Sequence, residues 1–425
     1  MKVSYIHSER PFESYNDRSL NIQTYGERND FPQRVSRIVE NSSTGKSCLK
    51  IYRDFIIGQG FDDDATKTFV VNSMGQTLDE VLALIAGDLA KYNGFGIHVN
   101  YNALGEICEL RHVPFEHLRF ERQGNSTLSF SKIAEYDDWS REFERYLGRN
   151  FDKKNIRRYD VYSDSDEVLR ARIQLAGGFS KWPGQILYYS GDGPNTYPTP
   201  IYAPALTDMR TEEAVSNVMN RNATSNFIPA GALVDISAEE QSEEEAHKMQ
   251  KQLQQFVGDM NGSTLMYLQV ASKDEIPQFI KMTGESYDKA YQRTQEVVPD
   301  NIGRAFSQPP ILRAVDVGAG FGADLMRNAY DYYNSRTNGE RDVLTRTFQR
   351  LFRRWEKVGF IPDDFDIRPL SYSTGDSLLA RFGQEAVDKI LEIVRDTTTD
   401  DVHKRAYLLT AYGLTDSDID KLLAQ

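Results

Sequence analysis

The sequence predicts a mixed α+β protein in which two long helices enclose a small α/β unit. Three observations lead to this prediction. The first half of the chain combines an amphipathic helical segment with several short strand-like segments, separated by Gly, Asn and Asp turns. Two long segments with helical apolar spacing, 201–222 and 286–306, then bracket residues that carry strand patterns. The remaining C-terminal residues are mostly helical in pattern. The chain of 425 residues is long enough for two or three structural units.

The N-terminal region contains the clearest amphipathic helix. Residues 77–92 place apolar side chains at 78, 81, 82, 85 and 89, and the Asn-Gly pair that follows is a helix stop signal. The run GDGPNTYPTP, residues 191–200, is typical of a linker. Strand-like segments lie between these two features, at 95–102, 106–113, 118–123, 156–163 and 185–190.

The middle of the chain has a symmetrical layout. The helix at 201–222 leads into a predicted strand within residues 226–234. A helix opened by Ser237, with Glu240 three residues later as a capping box, comes next, and residues 263–270 predict a second strand. The long helix at 286–306 contains Pro299, which predicts a kink or a restart.

The C-terminal region is predicted to be helical with one strand-like piece at 365–372. Residues 342–357 are basic, but their apolar side chains share one face, which favours a helix packed on the core with its arginines outside. The predicted helices are 322–333, 342–357, 383–395, 401–412 and 416–423.

Composition excludes several classes of function. A net charge of −13 argues against a protein that grips nucleic acid, because phosphate binding needs clustered Lys and Arg. No apolar run approaches the roughly 18 residues of a membrane span, and the first residues have no apolar core of a secretory signal, so neither is expected. Cys48 and Cys108 are the two cysteines, which fits a reducing cytoplasm without a disulfide framework.

A glycine-rich loop raises the question of a cofactor. In PPILRAVDVGAGFGADLMRNAYDYY, residues 309–333, a β-prone run leads into three glycines and a helical pattern, as in proteins that bind a dinucleotide or S-adenosylmethionine. However, only about a hundred residues follow, with one strand candidate among them, and no acidic residue closes a second strand about twenty residues later. The glycines equally suit a loop that serves another purpose.

The sequence gives little support for a metal centre or a catalytic site. Cys108, His112 and His117, with His98, lack the tight paired spacing of a zinc site, and they alternate with apolar residues along predicted strands. We therefore expect strand histidines and a buried thiol. The sequence contains no GxSxG, HExxH or GxxxxGK[ST] motif.

An ordered series of strings resembles the portal proteins of tailed bacteriophages over most of the chain. YGERNDFPQRV and SSTGKSCLKIYRDFIIGQGF are similar to the opening of portals from phages and prophages of Bacteroidetes-type hosts, and LRHVPFEHLRF is similar to a segment of their wing. The order of the second half is the most specific part. A helix runs into SNFIPAGALV, then come a helix opened by Ser and Glu, GSTLMYLQV, and finally SYDKAYQRTQEVVPDNIGRAFSQPPILRA.

The resemblance implies a phage portal fold and a division of the chain. An α/β wing is followed by two long stem helices that bracket a small α/β clip, and a helical crown ends the chain. The implied bounds are wing 1–199, first stem helix 200–226, clip 227–281, second stem helix 282–306 with its kink near Pro299, tunnel loop 307–322, tunnel-side helices and a returning wing strand 323–375, and crown 376–425.

The resemblance also implies a function without catalysis and without a cofactor. Portals form a ring, twelvefold in the virion, at one capsid vertex, through which double-stranded DNA is packaged and ejected. The implied partners are other copies of the chain, the terminase large subunit, a head–tail connector, and the major capsid protein or scaffold. DNA would pass non-specifically, with no membrane involved. The protein would be made in the host cytoplasm and reside in the virion.

Three groups of site residues follow from this assignment. Residues 314–322 carry Asp316 as their one charge, and a wall without Lys or Arg forms no lasting phosphate contacts. The clip is acidic, with nine acidic and three basic residues between 227 and 280. The predicted DNA-facing residues are Val315, Asp316, Val317, Gly318, Ala319, Gly320, Phe321 and Gly322. The clip residues predicted to face the terminase or connector are Glu239, Glu240, Glu243, Glu244 and Glu245. Possible basic rings of the channel are Lys281, Lys289 and Arg293.

Alternatives remain open for several of these residues. Lys281, Lys289 and Arg293 suit salt bridges between subunits as well as a channel lining. The acidic run at 239–245 also suits a solvated helix start that complements the helix dipole. The alternative function is a cofactor-binding enzyme, a methyltransferase by pattern, that uses the GAGFG loop. Another ring component of the phage head–tail junction is a third possibility, which the order of the stem and clip segments argues against.

Overall fold

The computed structural model confirms a mixed helix and sheet architecture. It describes residues 14, 16–121, 132–137, 139, 153–194, 196–224, 232–236, 266–270, 287–313, 323–372, 384–395, 400–412 and 419. The chain divides into two compact units. The first contains Met1–Val317 and Tyr332–Leu370, and the second contains Gly318–Asp331 and Ser371–Gln425.

The elements of the N-terminal two hundred residues are five helices and eight strands within the described ranges. The helices are α1 (Phe31–Asn41), α2 (Ser43–Ile57), α3 (Asp64–Thr68), α4 (Leu78–Tyr92) and α5 (Asp166–Ala176). The strands are β1 (Asn16–Asp17), β2 (Ile22–Gln23), β3 (Gly94–Tyr101), β4 (Ile107–Val113), β5 (Leu118–Phe120), β6 (Lys132–Glu135), β7 (Arg157–Val161) and β8 (Gln185–Ser190).

In the described part of the remaining chain, two long helices and two strands come first, and four helices follow. The middle elements are α6 (Leu206–Thr224), β9 (Ala232–Ile236), β10 (Met266–Val270) and α7 (Tyr287–Ala305). The later helices are α8 (Ala323–Arg336), α9 (Asn338–Phe352), α10 (Gln384–Arg395) and α11 (Asp401–Tyr412).

A six-stranded sheet is the centre of the first unit. Its strand order is β4-β3-β8-β7-β6-β5, and every neighbouring pair is antiparallel except β7 and β8. Helix α4 packs against β3. Its start has a complete capping box between Thr77 and Glu80. Asn93 adopts the left-handed conformation at its end, where the sequence predicted a helix stop.

The edge of the sheet at β4 is covered by the chain itself. The Ile107 N–H donates to the Arg354 carbonyl, and the Glu356 N–H donates back to Ile107. The Leu110 N–H donates to Val71. These bonds satisfy backbone groups that an open edge strand would offer to another chain.

The core beside the sheet encloses a fully buried arginine. The Arg119 guanidinium donates to Asn29 Oδ1 at 2.6 Å and to the carbonyls of Asn29, Glu116 and Leu118. The rings of Tyr25 and Trp139 lie 5.5 and 5.4 Å from its guanidinium carbon. Neutral acceptors and aromatic faces therefore solvate this cation in place of water.

The small α/β unit has its two predicted strands, which pair with each other. β9 and β10 are parallel, with Ala232 opposite Met266 and Ile236 opposite Val270. Parallel neighbours need a crossover connection of a dozen or more residues. The helix predicted between these strands lies outside the described residues.

The second unit has a small apolar cluster of its own. Ile390 on α10, Leu408 on α11 and Ile419 are fully buried together. Lys404 is buried beside them, and its Nζ donates to the Val394 carbonyl at 3.1 Å. The predicted helices at 383–395 and 401–412 are confirmed, whereas the helix predicted at 416–423 lies almost entirely outside the described residues.

Three expectations need correction. Residues 365–372 do not form a strand, because their backbone bonds to residues 59–62 make a single isolated bridge, Phe61–Ile367, beside a turn. The helix expected at 342–357 begins earlier, at Asn338, and ends at Phe352. No restart occurs at Pro299, since α7 continues through it.

Candidate functional site at the base of the two long helices

Helices α6 and α7 form an antiparallel pair. One end of the pair joins the N-terminal part of the chain that holds helices α1–α5 and the six-stranded sheet, which we call the sheet region. Gln295 Nε2 lies 2.8 Å from Met219 Sδ, while Glu212 and Pro299 line the same cavity closer to the sheet region. Tyr202 lies shortly before the start of α6, and Phe306 directly follows the end of α7. The rings of these two residues stack at 4.6 Å between centroids. We call the residues around this stack (Tyr202, Phe306, Gln308 and Arg313) the helix base.

Glu212 fixes the first long helix to the N-terminus of α2. Its carboxylate accepts from the Ser43 hydroxyl at 3.0 Å and from the Thr44 hydroxyl at 2.7 Å. The Thr44 N–H lies 3.3 Å from both carboxylate oxygens, and the Ser42 hydroxyl donates to one of them. A carboxylate at a helix N-terminus satisfies amides that lack an intrahelical partner and complements the helix dipole.

The end of the second long helix is fixed by a chain of hydrogen bonds. Gln308 Nε2 donates to the Cys48 carbonyl at 2.6 Å and to the Tyr333 hydroxyl at 3.1 Å. The Tyr333 hydroxyl donates in turn to the Phe306 carbonyl at 3.1 Å. Ser307 has a positive φ of 54°, which turns the chain out of the helix. These contacts involve residues of the last string in the ordered series that resembles portal proteins, SYDKAYQRTQEVVPDNIGRAFSQPPILRA.

The chain then forms a short 3-10 helix, Pro310–Arg313, that places Arg313 against α7. Its guanidinium donates to the Pro299 carbonyl and to Asp300 Oδ1, both at 3.1 Å. The run at 311–317 was interpreted as a possible strand leading into the glycines, and for residues 311–313 this is wrong. A dinucleotide loop follows a strand, so this correction weighs against the cofactor hypothesis.

Burial favours the neutral form of two side chains beside the helix base, those of Cys48 and Tyr52. It raises the pKa of the Cys48 thiol to about 11, so that the thiol stays protonated near neutral pH. The pKa of Tyr52 is also raised strongly, by burial and by Glu340, whose carboxylate accepts from the Tyr52 hydroxyl at 2.6 Å. Groups held in their neutral form at hydrogen-bonding distance suit a rigid joint, not proton transfer.

Beyond the base, the two long helices expose apolar side chains. Every residue from 214 to 220 is exposed or half-buried. Val218, Met219 and Val297 are exposed to 36, 42 and 46 %. A cavity of about 310 Å³ lies between the helices and α2, and Val215, Met219, Val298 and Pro299 supply its apolar lining. Among the described residues, this part of the pair therefore keeps apolar surface exposed.

The predicted site residues are only partly within the described ranges. Arg293 is exposed on α7, and Lys289 lies in the same helix. Lys281, the glycine loop at 314–322 and the acidic run at 239–245 lie outside the described residues. Sequence reasoning missed Glu212 and the Gly303–Arg313 contact. The one signal available for Arg313 was its place near the end of the string SYDKAYQRTQEVVPDNIGRAFSQPPILRA, which is similar to portal proteins.

The histidines and the second cysteine are not brought together. His112 Nε2 lies 2.7 Å from Asp88 Oδ2, and His98 Nε2 lies 2.7 Å from the Pro183 carbonyl. Cys108 is half-buried, which corrects the expectation of a buried thiol. Within the described ranges, no cluster of three or more His, Cys, Asp or Glu has a metal-binding arrangement. None of the described helices is both long and apolar enough to cross a membrane.

Comparison with known proteins gives structural likenesses alone. No family model and no curated protein matches the sequence. The structure is similar to a chain from the neck of an empty gene transfer agent (GTA) particle computed with C6 symmetry, with 14% identity, 93% coverage of each chain and a TM-score of 0.45. It is also similar to a chain from the neck of a native GTA particle computed with C12 symmetry, with 13% identity, 89% coverage of this chain, 93% of that chain and a TM-score of 0.46. A chain from the virion of a native GTA particle gives 13% identity, 93% coverage of each chain and a TM-score of 0.45. TM-scores below 0.5 assign neither a fold nor a function, so the interpretation depends on the residues.

Proposed function

We propose that the protein is a portal subunit of a tailed phage or phage-like particle. It assembles with other copies into a ring at one capsid vertex, and DNA is packaged and ejected through the centre of the ring. The observation that carries the proposal is the antiparallel pair α6 and α7. The pair is fixed at its base to the sheet region. Along the sequence, its two helices bracket a parallel strand pair, in the order that the sequence resemblance requires.

The exposed surface of this pair supports assembly from identical copies. Each helix has 19 residues, about 28 Å of length, and helices of this length are stabilised in proteins mainly by packing of an apolar face. Within the described chain, Val218, Met219 and Val297 stay 36, 42 and 46 % exposed. A neighbouring copy in a closed ring would cover them repeatedly around one axis.

Charge supports a role as a conduit for DNA. Residues 314–322 contain no Lys or Arg, and the chain as a whole has a net charge of −13. Such a lining forms no lasting contacts with phosphates, so a duplex slides past it. In this proposal Val315 to Gly322 face the channel, and Arg293, with Lys281 and Lys289, forms either weak basic rings or salt bridges between copies.

The remaining regions take their roles from the same division of the chain. Residues 1–199 form the wing, 227–281 the clip and 376–425 the crown. The acidic run with Glu239, Glu240, Glu243, Glu244 and Glu245 faces the terminase large subunit during packaging and a head–tail connector afterwards. The major capsid protein or scaffold surrounds the wing. The proposed protein is not an enzyme, since the packaging motor supplies the ATP hydrolysis.

Negative-stain imaging of the purified full chain tests the proposal. We expect symmetric rings with a central hole in end views and with one narrow end in side views. Deletion of residues 315–321 leaves these rings intact and impairs packaging or retention of DNA in particles. Particles without a hole would contradict the proposal, as would a deletion variant that fails to assemble.

A further inference from the structure

The guanidinium of Arg313 lies in a notch on the surface of helix α7. The Arg313 side chain is only 8% exposed, and it is paired with Asp300, which also pairs with Arg304. The same guanidinium donates to the Pro299 carbonyl at 3.1 Å. The arginine therefore joins the chain that has left the helix to the turn that contains the proline.

Gly303 creates the notch. A Cβ atom at this position would lie 2.3 Å from both Cζ and Nη1 of Arg313, a distance that real Cβ atoms do not reach. Glycine inside a helix costs about 1 kcal/mol relative to alanine, and such a residue usually has a packing reason. Here the reason is the place that the missing side chain leaves for the guanidinium.

The backbone holds the arginine in the same place. Arg313 ends the 3-10 helix that begins at Pro310, in which the Leu312 N–H donates to Pro309 and Ile311 is buried. Side chain and backbone thus both fix Arg313, the last described residue before the segment 314–322. The segment 314–322 contains no second Lys or Arg that could replace this contact.

We infer that Arg313 is a positioning residue, a clamp that couples the start of the 314–322 segment to the proline turn of α7. The clamp itself is independent of the ring. Its consequence, that a displacement of α7 near Pro299 is passed to the DNA-facing segment, rests on the proposed function.

Trypsin provides a direct probe, because the arginine side chain must leave its notch to enter the specificity pocket of the protease. The Arg313–Ala314 bond is the sole tryptic site between Arg304 and Arg327. In the wild-type chain we expect slow cleavage after Arg313, measured as the appearance of fragments 1–313 and 314–425 by mass spectrometry. The Gly303→Ala variant should be cleaved at this bond at least tenfold faster, since the new methyl group displaces the guanidinium.

The matched control is Gly339→Ala, which makes the same change in helix α9, where a Cβ meets nothing within 4 Å. We expect wild-type cleavage rates in this control. Cleavage after the buried Arg341 reports global unfolding, so a specific effect leaves it unchanged. The clamp is contradicted if Gly303→Ala accelerates cleavage after Arg313 no more than the control does, or accelerates cleavage at all sites alike.

A second measurement covers the case in which a neighbouring copy shields Arg313 from the protease. Arg313→Gln should accelerate hydrogen exchange at least tenfold in peptides that cover residues 299–305 and leave peptides of α4 unchanged. Unchanged exchange at 299–305 overturns the inference. Mass photometry of the same samples reports assembly separately, so loss of the ring and loss of the clamp are distinguishable outcomes.

Discussion

The sheet region and the two long helices complete their interactions in different ways. In the sheet region the strand edge at β4 is covered by residues 354–356 and by Val71, and Arg119 is fully enclosed by acceptors and rings of the same chain. Along α6 and α7, by contrast, apolar side chains remain exposed once the helix base is passed. Within the described residues, the sheet region covers its own edge and its buried cation, whereas the two helices keep apolar surface that the proposed ring would cover. Substitutions in the sheet region should therefore lower the free energy of unfolding, whereas substitutions on the two long helices should impair assembly.

The largest effect on stability is expected at Arg119. Replacement by Met removes five hydrogen bonds and leaves the carbonyls of Asn29, Glu116 and Leu118 buried without that donor. We expect the free energy of unfolding to fall by about 3–5 kcal/mol. Urea denaturation of Arg119→Met measures this, with the exposed Arg346→Met as the control. A loss below about 1 kcal/mol would show that the buried cation is not needed there.

A smaller loss is expected at Glu212, where the two regions join. Glu212→Gln removes a charge from the N-terminus of α2 and weakens its bonds to Ser43 and Thr44. The expected cost is about 1–3 kcal/mol in urea denaturation. Glu213→Gln is the matched control, since Glu213 has one exposed bond, to Asn41. Equal costs in the two variants would contradict the anchoring role of Glu212.

The buried thiol of Cys48, beside the helix base, should make the free energy of unfolding depend on pH. Burial raises the pKa of its thiol to about 11 in the folded chain, above the ordinary value near 8.5. The folded state therefore favours the protonated thiol. This contribution to stability is fully present below about pH 8.5 and is lost as pH rises toward 11. We expect Cys48→Ala to reduce the fall in unfolding free energy between pH 8.5 and 10.5, measured in urea. An identical fall in both proteins would contradict a buried, protonated Cys48.

The smallest effect on stability is expected at Val297, where the effect on assembly is greatest. Val297→Asp changes an exposed side chain, so the unfolding free energy of the single chain should stay within about 0.5 kcal/mol. The same change places an unpaired charge in the proposed contact between copies, and assembly should be lost. Leu104→Asp, at a more exposed position between β3 and β4, is the control and should assemble normally. A Val297→Asp variant that assembles as well as this control would contradict a contact through α7.

Local signals explain which parts of the fold were predictable. The apolar spacing of residues 78–89 and the Asn93–Gly94 stop predicted α4 within a residue, because both signals are local. Helices α1 and α2 were not predicted as such. Ser42 alone separates them, and its capping role is clear only once the Gly45 N–H is seen to donate to it.

Features that depend on contacts between distant parts of the chain were predicted less well from the sequence. Residues 365–372 have a strand pattern, but the chain that they meet, residues 58–62, is a turn in which Gly58 and Gly60 have positive φ. The apolar spacing of residues 201–222 and 286–306 predicted two long helices, which the structure has at Leu206–Thr224 and Tyr287–Ala305. It did not predict the Glu212 anchor or the Gly303–Arg313 notch, since both depend on how elements far apart in sequence meet in space.

Mass photometry of the purified full-length chain, compared with Val297→Asp, tests the central claim most directly. One chain has a mass of 48.5 kDa, so a ring of twelve copies has a mass of about 580 kDa, and a thirteenfold ring formed without a capsid is slightly heavier. We expect the wild-type chain near this mass and the variant near the mass of a single chain. A wild-type protein that remains a monomer or dimer, especially one that binds S-adenosylmethionine, would contradict the account and favour the enzyme hypothesis.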